Sequence, residues 1–369
     1  MPNTLGPQRI AALDALRGFD MFWIIGAEEL FHTLAKATAS PFWQQLSNQF
    51  EHPYWNGFTA YDLIFPLFIF ISGIAAAYSL GSSLEKGVSR LSLTQKVLWR
   101  GLLLFLLGII YNNGLQLRPL YDVRLMSVLG RIGIVYACSC LIFLYAGPRA
   151  RYAWFAGLLL GYWAILALCA APGFPPGDLT EAGNVASWID RTVLPGRLSR
   201  GIHDTVGLFN NISAVASGLA GILTGQYLRT TRHPPARQSA LMAATGILSL
   251  LLAQAWNPVF PINKNLWSSS FVLTTTGWSL LLMALFHYLI DVKGYVRWTF
   301  FFRVIGLNSI LIYMSPRFID WSHTNLALFQ WLGQLISDPY QAFALATTAL
   351  LIKWAACWFL YRQQVFVKI

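Results

Sequence analysis

Stretches of about twenty apolar residues recur along this chain, and runs of that length read as membrane-spanning helices. The constraint is severe, because a backbone buried in hydrocarbon has to satisfy its own hydrogen bonds. Ten segments can be drawn, at about residues 19–35, 58–80, 97–113, 125–146, 152–171, 206–228, 239–256, 267–290, 300–318 and 342–361. The expected fold is an all-α polytopic membrane protein of about ten transmembrane helices, forming a single domain over residues 1–369. A further apolar stretch, 325–336, is too short to cross and is expected to lie in the interface or to re-enter.

Composition agrees with this reading. Charged residues make up 11% of the 369, against roughly 25% in soluble domains. Aromatics at 15% suit interfacial belts. The net charge of +11 therefore bears on loop topology, and it is no sign of a nucleic-acid partner. With the amino terminus inside, 15 Lys and Arg, among them Arg9 and Lys368, fall on the inner side and 7 on the outer. Both termini are thus expected in the cytoplasm. The polar start, residues 1–12, has no apolar core before a cleavage site, so no signal peptide is expected. Cys138, Cys140, Cys169 and Cys357 all fall in apolar runs and are expected as buried thiols, with no metal site. The outer loop at about 172–205 opens with a Pro/Gly-rich turn, and a loop this long is more often a cap than a linker. No internal repeat is visible, which argues against an inverted-repeat carrier.

Ionisable residues at membrane depth are costly, about 2.5–3.5 kcal/mol each at a helix centre. Here they include Glu28, Glu29, Asp62, Arg131, Arg303, Arg317 and Lys353. They have to pair, line water or bind a charged molecule. Asp62 heads the run that ends at Gly73, and Thr59-Ala60-Tyr61-Asp62 has the form of a capping box. The same carboxylate can instead orient or charge a neighbour. His52, just before this helix, is either an idle surface histidine or a proton or acyl acceptor. Tyr54 and Trp55 can floor a sugar site or simply sit in the interface. Asp14 and Arg17 are spaced as an i, i+3 helix pair. Asn263, Lys264 and Asn265 place a cation and two amides at the mouth of the eighth segment, on the same side as His52. No phosphate-binding glycine loop is present, so a nucleotide would have to be held by helix ends and basic side chains.

Several blocks together resemble the heparan-α-glucosaminide N-acetyltransferase family. They are Leu13-Asp14-Ala15-Leu16-Arg17-Gly18, Trp55-Asn56-Gly57-Phe58-Thr59 through Asp62-Leu63-Ile64-Phe65-Pro66, Gly130-Arg131-Ile132-Gly133, and Ile189-Asp190-Arg191. Pro261 to Ser268, Gly306-Leu307-Asn308-Ser309-Ile310-Leu311 and Tyr361-Arg362 complete the likeness. It implies a transmembrane acyltransferase that takes acetyl-CoA from the cytoplasm and acetylates a glucosamine amine on the far side. The histidine before the Trp-Asn-Gly block is the family's active residue, which implies His52. One departure stands at Glu28, where the animal enzyme has an asparagine that works with that histidine. The candidate catalytic residues are His52, by the resemblance, Glu28, whose carboxylate can still hydrogen-bond the imidazole, and Asp62, as cap and support of the site. The resemblance implies co-substrate binding by Arg17, Arg131, Asn308 and Ser309, and sugar binding by Trp55, Asn56, Asn263, Lys264 and Asn265. It also implies a homodimer in a lipid bilayer, and the expected location is a bacterial inner membrane with His52 facing the periplasm. The alternatives are an amino-sugar carrier of that membrane, or a transferase that acylates an envelope polysaccharide.

Overall fold

The computed structural model describes residues 10–116, 118–336 and 338–367, so Arg9, Lys368 and the start of the polar stretch 1–12 lie outside the described residues. The chain runs through α1 (Ala11–Phe22), α2 (Glu28–Thr38), α3 (Pro41–Asn48), α4 (Ile64–Glu85), α5 (Arg90–Asn113) and α6 (Val128–Tyr145). It continues with α7 (Pro148–Leu168), α8 (Val185–Val193), α9 (Asn211–Thr230), α10 (Pro235–Trp256) and α11 (Ser269–His287). The last elements are α12 (Thr299–Gly306), α13 (Ser309–Met314), α14 (Trp321–Leu335) and α15 (Gln341–Arg362).

Among the described residues, seven helices are long and apolar enough to cross a membrane: α4 with the turn before it, α5, α6, α7, α10, α11 with its π turn, and α15. They match seven of the ten expected segments, and the chain is an all-helical integral membrane protein. The other three segments depart from a long, unbroken apolar span. The first is broken by a π turn at Trp23–Ala27, where Gly26 takes φ 119°, a conformation that side chains resist. The sixth begins only at Asn211, and its helix α9 carries Asn211, Ser213, Ser217, Thr224 and Gln226, which lower its hydropathy. The ninth is split into α12 and α13, bent by 68° at Leu307 and Asn308. The short stretch at 325–336 lies in α14, a 15-residue helix packed on α15.

The cysteines are free, but only Cys140 and Cys357 are buried; Cys138 and Cys169 are exposed, contrary to expectation. The helix explains the first difference. Residues two apart point to nearly opposite faces, so Cys138 and Cys140 cannot share a buried one.

α4 stands near the middle of the bundle and packs on α1, α6, α9 and α11. Its closest neighbour is α9. A Cβ at Gly73 would land on the carbonyl of Gly218, and one at Gly221 on the carbonyl of Phe70. Small residues let these backbones touch, which is how membrane helices gain packing when lipid is as apolar as leucine. Phe70, Ile71 and Ile74 fill the surrounding core.

The loop between α7 and α9 is pinned at several points. Asp204 accepts from Arg124 Nη2 at 3.0 Å, from the Ser199 amide at 2.9 Å and from the Val206 amide at 2.9 Å. Asp190 on α8 accepts the Leu208 and Phe209 amides at 2.9 and 3.3 Å, just ahead of α9. His203 Nδ1 stands 2.8 Å from Glu181 Oε1. Trp55 reaches into the loop, donating Nε1–H to Leu179 O at 2.9 Å and meeting the His203 ring edge-on.

Two expectations follow. Gly221→Val should lower the unfolding temperature in detergent, with an overpacking cost of about 1–3 kcal/mol. Gly157→Ala, at a site with nothing within 4 Å, should leave it unchanged. Equal effects would contradict the assigned α4–α9 contact. The second concerns pH. Burial, aided by the Asp204 charge, pushes the Asp190 carboxyl up to about 6, against the pull of the Phe209 and Leu208 amides. A carboxyl that holds its proton better in the folded state stabilises most at low pH. The loop should therefore loosen as pH rises from ~4 to about 6. His203, lowered by burial, gives the opposite slope nearer neutrality. Asp190→Asn should flatten the acid-side slope of protease nicking within the loop; an unchanged slope would show that another group sets it.

Candidate active site

The turn at Ala60–Leu63 is closed by the expected capping box: the Thr59 amide donates to Asp62 Oδ2 at 3.1 Å. Pro66 sits in the first turn of α4, where its missing amide is tolerated. The cap leaves Asp62 Oδ1 pointing at two other groups. His52 Nδ1 lies 2.7 Å away and Lys264 Nζ 3.2 Å away. Neither approach is aligned as a hydrogen bond, so Oδ1 pairs with the Lys264 ammonium by charge and stands beside the imidazole. Asp62 is fully buried while the His52 side chain is 46% exposed, which puts the carboxylate beneath the imidazole and the imidazole against open space.

Lys264 closes the cluster. Its Nζ is 3.0 Å from His52 Nε2 and 3.2 Å from Nδ1. Near-equal separations put the ammonium over the ring rather than along the lone-pair axis of either nitrogen. Tyr61 also packs on this ring, with centroids 4.9 Å apart. With the carboxylate beside Nδ1, the proton of a neutral ring belongs on that nitrogen, and Nε2 is left basic. Burial holds the Lys264 ammonium below the usual lysine range; Asp62 opposes the shift and Arg131 adds to it.

The loop that carries Lys264 is rigid for identifiable reasons. Asn263, fully buried, donates Nδ2–H to Asn56 Oδ1 at 3.0 Å and accepts the Leu266 amide at 2.8 Å. The Gly57 amide donates to Ile262 O at 2.8 Å, a second tie between the two loops. Trp267 takes φ 50°, unusual for a bulky residue, and is held there by burial and by its Nε1–H to Ser217 Oγ at 3.1 Å. Arg131 stacks on that indole, 4.5 Å from its centre, and donates to Asn210. It is fully buried, with Nε and Nη1 unpartnered.

His52, Asp62, Lys264, Trp55 and Asn265 line one cavity of about 360 Å³, together with Ser199, Arg200 and Thr205 of the long loop. A second cavity, of about 560 Å³, lies toward the other end of α4. Arg17, Arg100 and Arg303 line it, with Ser72, Ser79, Tyr136, Ser309 and Gln364. From Asp62 to Ser79 is 17 helical residues, about 25 Å at the helical rise, nearly the thickness of the hydrocarbon. Between them is a small apolar space of about 40 Å³. It shares Phe68, Leu129, Ile132, Ser309 and Ile310 with the basic cavity, and Ile24, Phe65, Val128 and Tyr313 with the His52 cavity. This neck therefore lies between the two cavities.

The residues singled out from sequence thus fall into three places. Arg17 and Ser309 line the basic cavity, Arg17 also standing 3.8 Å from Asp14 as the i, i+3 spacing suggested. Asn56, Asn263 and Arg131 brace the loops around the His52 cavity. Asn308 and Glu28 are elsewhere: Asn308 holds the chain after α15, and Glu28 lies in the field of Lys353 and Tyr61. Arg100 and Arg303 were legible as cations at helix ends or at depth. Ser199, Arg200 and Thr205 carry no local signal, since only the fold-back of the loop brings them to the cavity.

Residues 9–168 match the profile described as heparan-alpha-glucosaminide N-acetyltransferase, catalytic. The human heparan-alpha-glucosaminide N-acetyltransferase is 28% identical over 417 aligned residues, covering 98% of this chain and 60% of the human protein. The mouse protein of the same name is 30% identical over 336, covering 76% of this chain and 50% of its own length. The chain therefore spans between half and two-thirds of the relatives it matches. By its matched region and its identity to both proteins, it is similar to the heparan-alpha-glucosaminide N-acetyltransferases.

Proposed function

We propose that this chain is an acetyl-CoA-dependent transmembrane N-acetyltransferase that acetylates the amine of glucosamine, or of a glucosamine-containing sugar, in the His52 cavity. The observation that carries this reading is the pair of cavities with an apolar neck between them. One is basic and suits a phosphorylated nucleotide; the other holds a histidine–carboxylate pair. Their ends differ in charge, and the excess of Lys and Arg on the side of the basic cavity favours its facing the cytoplasm. The His52 cavity then opens to the periplasm of a bacterial inner membrane, and the broken first and ninth segments together with α9 complete a count of ten crossings.

Arg17, Arg100 and Arg303 hold the phosphates of acetyl-CoA, which carries the acetyl group as a thioester. Only a neutral amine attacks a carbonyl, so a base is needed. His52 Nε2 takes a proton from the amine, whose nitrogen forms the new C–N bond as the C–S bond breaks. The thiolate leaves and takes up a proton to become the free thiol. In the alternative order Nε2 first accepts the acetyl group and then passes it to the amine. Asp62 stabilises the charged ring in either order. Trp55 and Asn265 line the sugar side, and Lys264 stands over the imidazole.

His52→Ala should lower turnover roughly 10²–10⁴-fold, the range for a lost general acid–base group; near-normal turnover would exclude both orders. Labelled acetyl-CoA given without sugar should mark His52 if the ring is acetylated first, and leave it unmarked if transfer is direct. Arg100→Ala and Arg303→Ala should each raise the KM for acetyl-CoA about tenfold, the loss of one charge-assisted bond. Sugar uptake into vesicles without acetyl-CoA would instead identify a carrier.

A further inference from the structure

The stretch that follows α15 turns back onto the basic cavity. Gln364 takes a φ of 56°, and the Val365 amide donates to Leu360 O at 3.0 Å. After that turn Gln364, Phe366 and Val367 line the same cavity as Arg17, Arg100 and Arg303. Phe366 also packs edge-on against Tyr361, which lines the cavity as well.

One residue fixes this return. Asn308 donates Nδ2–H to Val365 O at 3.0 Å and accepts the Val367 amide on Oδ1 at 3.0 Å. The carbonyl of one residue and the amide two positions on are what an adjacent β-strand would engage, so the side chain stands in for a strand. Asn308 is fully buried, and an unsatisfied amide there would be costly. It also sits at the 68° break between α12 and α13, one residue before Ser309, which lines both the basic cavity and the neck. The break exposes the side chain to the returning segment; the clamp ties that segment to the entrance of the neck.

We propose that residues 364–367, clamped by Asn308, form a wall of the site for a phosphorylated nucleotide thioester, with Asn308 as its positioning residue. The inference rests on the basic cavity being the acetyl-CoA site. Three guanidinium groups attract any polyanion, but they do not direct its uncharged arm. A close, mostly apolar wall beside Ser309 narrows the cavity toward the neck and aims the arm along it. Removing the wall leaves the chemistry at His52 intact and weakens capture of the co-substrate.

The test uses the full chain in detergent or nanodiscs. Asn308→Ala and Val367→Pro, the latter lacking the amide that Asn308 accepts, should raise the KM for acetyl-CoA at least fivefold. The KM for glucosamine and kcat should stay within about twofold. Asn308→Asp, which keeps the acceptor and loses the donor, should fall between. A Val367→Cys variant gives a readout apart from activity: coenzyme A should slow modification at position 367 by a thiol reagent, mapped by mass spectrometry. Unchanged acetyl-CoA KM in Val367→Pro together with no protection at position 367 overturns the proposal, provided that Arg100→Ala and Arg303→Ala do raise that KM. If the arginine variants also leave it unchanged, the cavity is not the co-substrate site and the functional reading fails with it.

Discussion

The arrangement depends on one buried carboxylate. Asp62 has no exposed surface at the head of a membrane helix, where an unpaired charge would be prohibitively costly. One oxygen is satisfied locally, by the Thr59 amide of its own cap. The other faces His52 and Lys264, which come to it from different loops separated by more than two hundred residues. That pairing draws the two loops together, and the Asn56–Asn263 and Gly57–Ile262 bonds hold them so. A capping residue and a site residue are the same residue. The helix start that positions the carboxylate also fixes which imidazole nitrogen it faces.

α4 then carries the consequences inward. Its head forms the histidine cavity, Phe68 lies at the neck, and Ser72 and Ser79 reach the basic cavity. A helix that touches all three must not shift, and the direct backbone contact at Gly73 and Gly221 supplies that rigidity. The opposite wall is built from broken elements. The π turn before α2 and the bend at Asn308 interrupt helices beside the neck, where continuous cylinders would close it. Such breaks are tolerated at membrane depth only where protein satisfies the freed groups, as Lys353 does for Ile25 O at 2.7 Å.

Much of this was legible from the sequence, for physical reasons that differ by residue. The long apolar runs announced seven spans because length and hydropathy suffice for an unbroken helix. They did not announce the positive-φ glycine, the polar start or the bend in the other three, since those depend on what the backbone meets. The Thr59–Asp62 spacing announced the cap, because four residues are enough to close it. His52 and Lys264 were read as facing the same side, but their mutual contact could not be read from either neighbourhood. Arg131 and Asn263 looked like ligands by residue type. That Arg131 is buried against Trp267 and that Asn263 is bonded to Asn56 could not be read from residue type, since only packing shows it. Cys138 and Cys169 were misplaced because apolar neighbours in sequence do not imply a buried face.

The central claim is that an acetyl group passes between two cavities on opposite ends of one bundle. Sealed vesicles containing the protein test it directly, with acetyl-CoA enclosed and glucosamine supplied only outside. The account predicts acetylated glucosamine in the outer medium, formed at a rate set by the enclosed acetyl-CoA and without sugar entering the vesicles. Product formed only when both substrates share one side would contradict it.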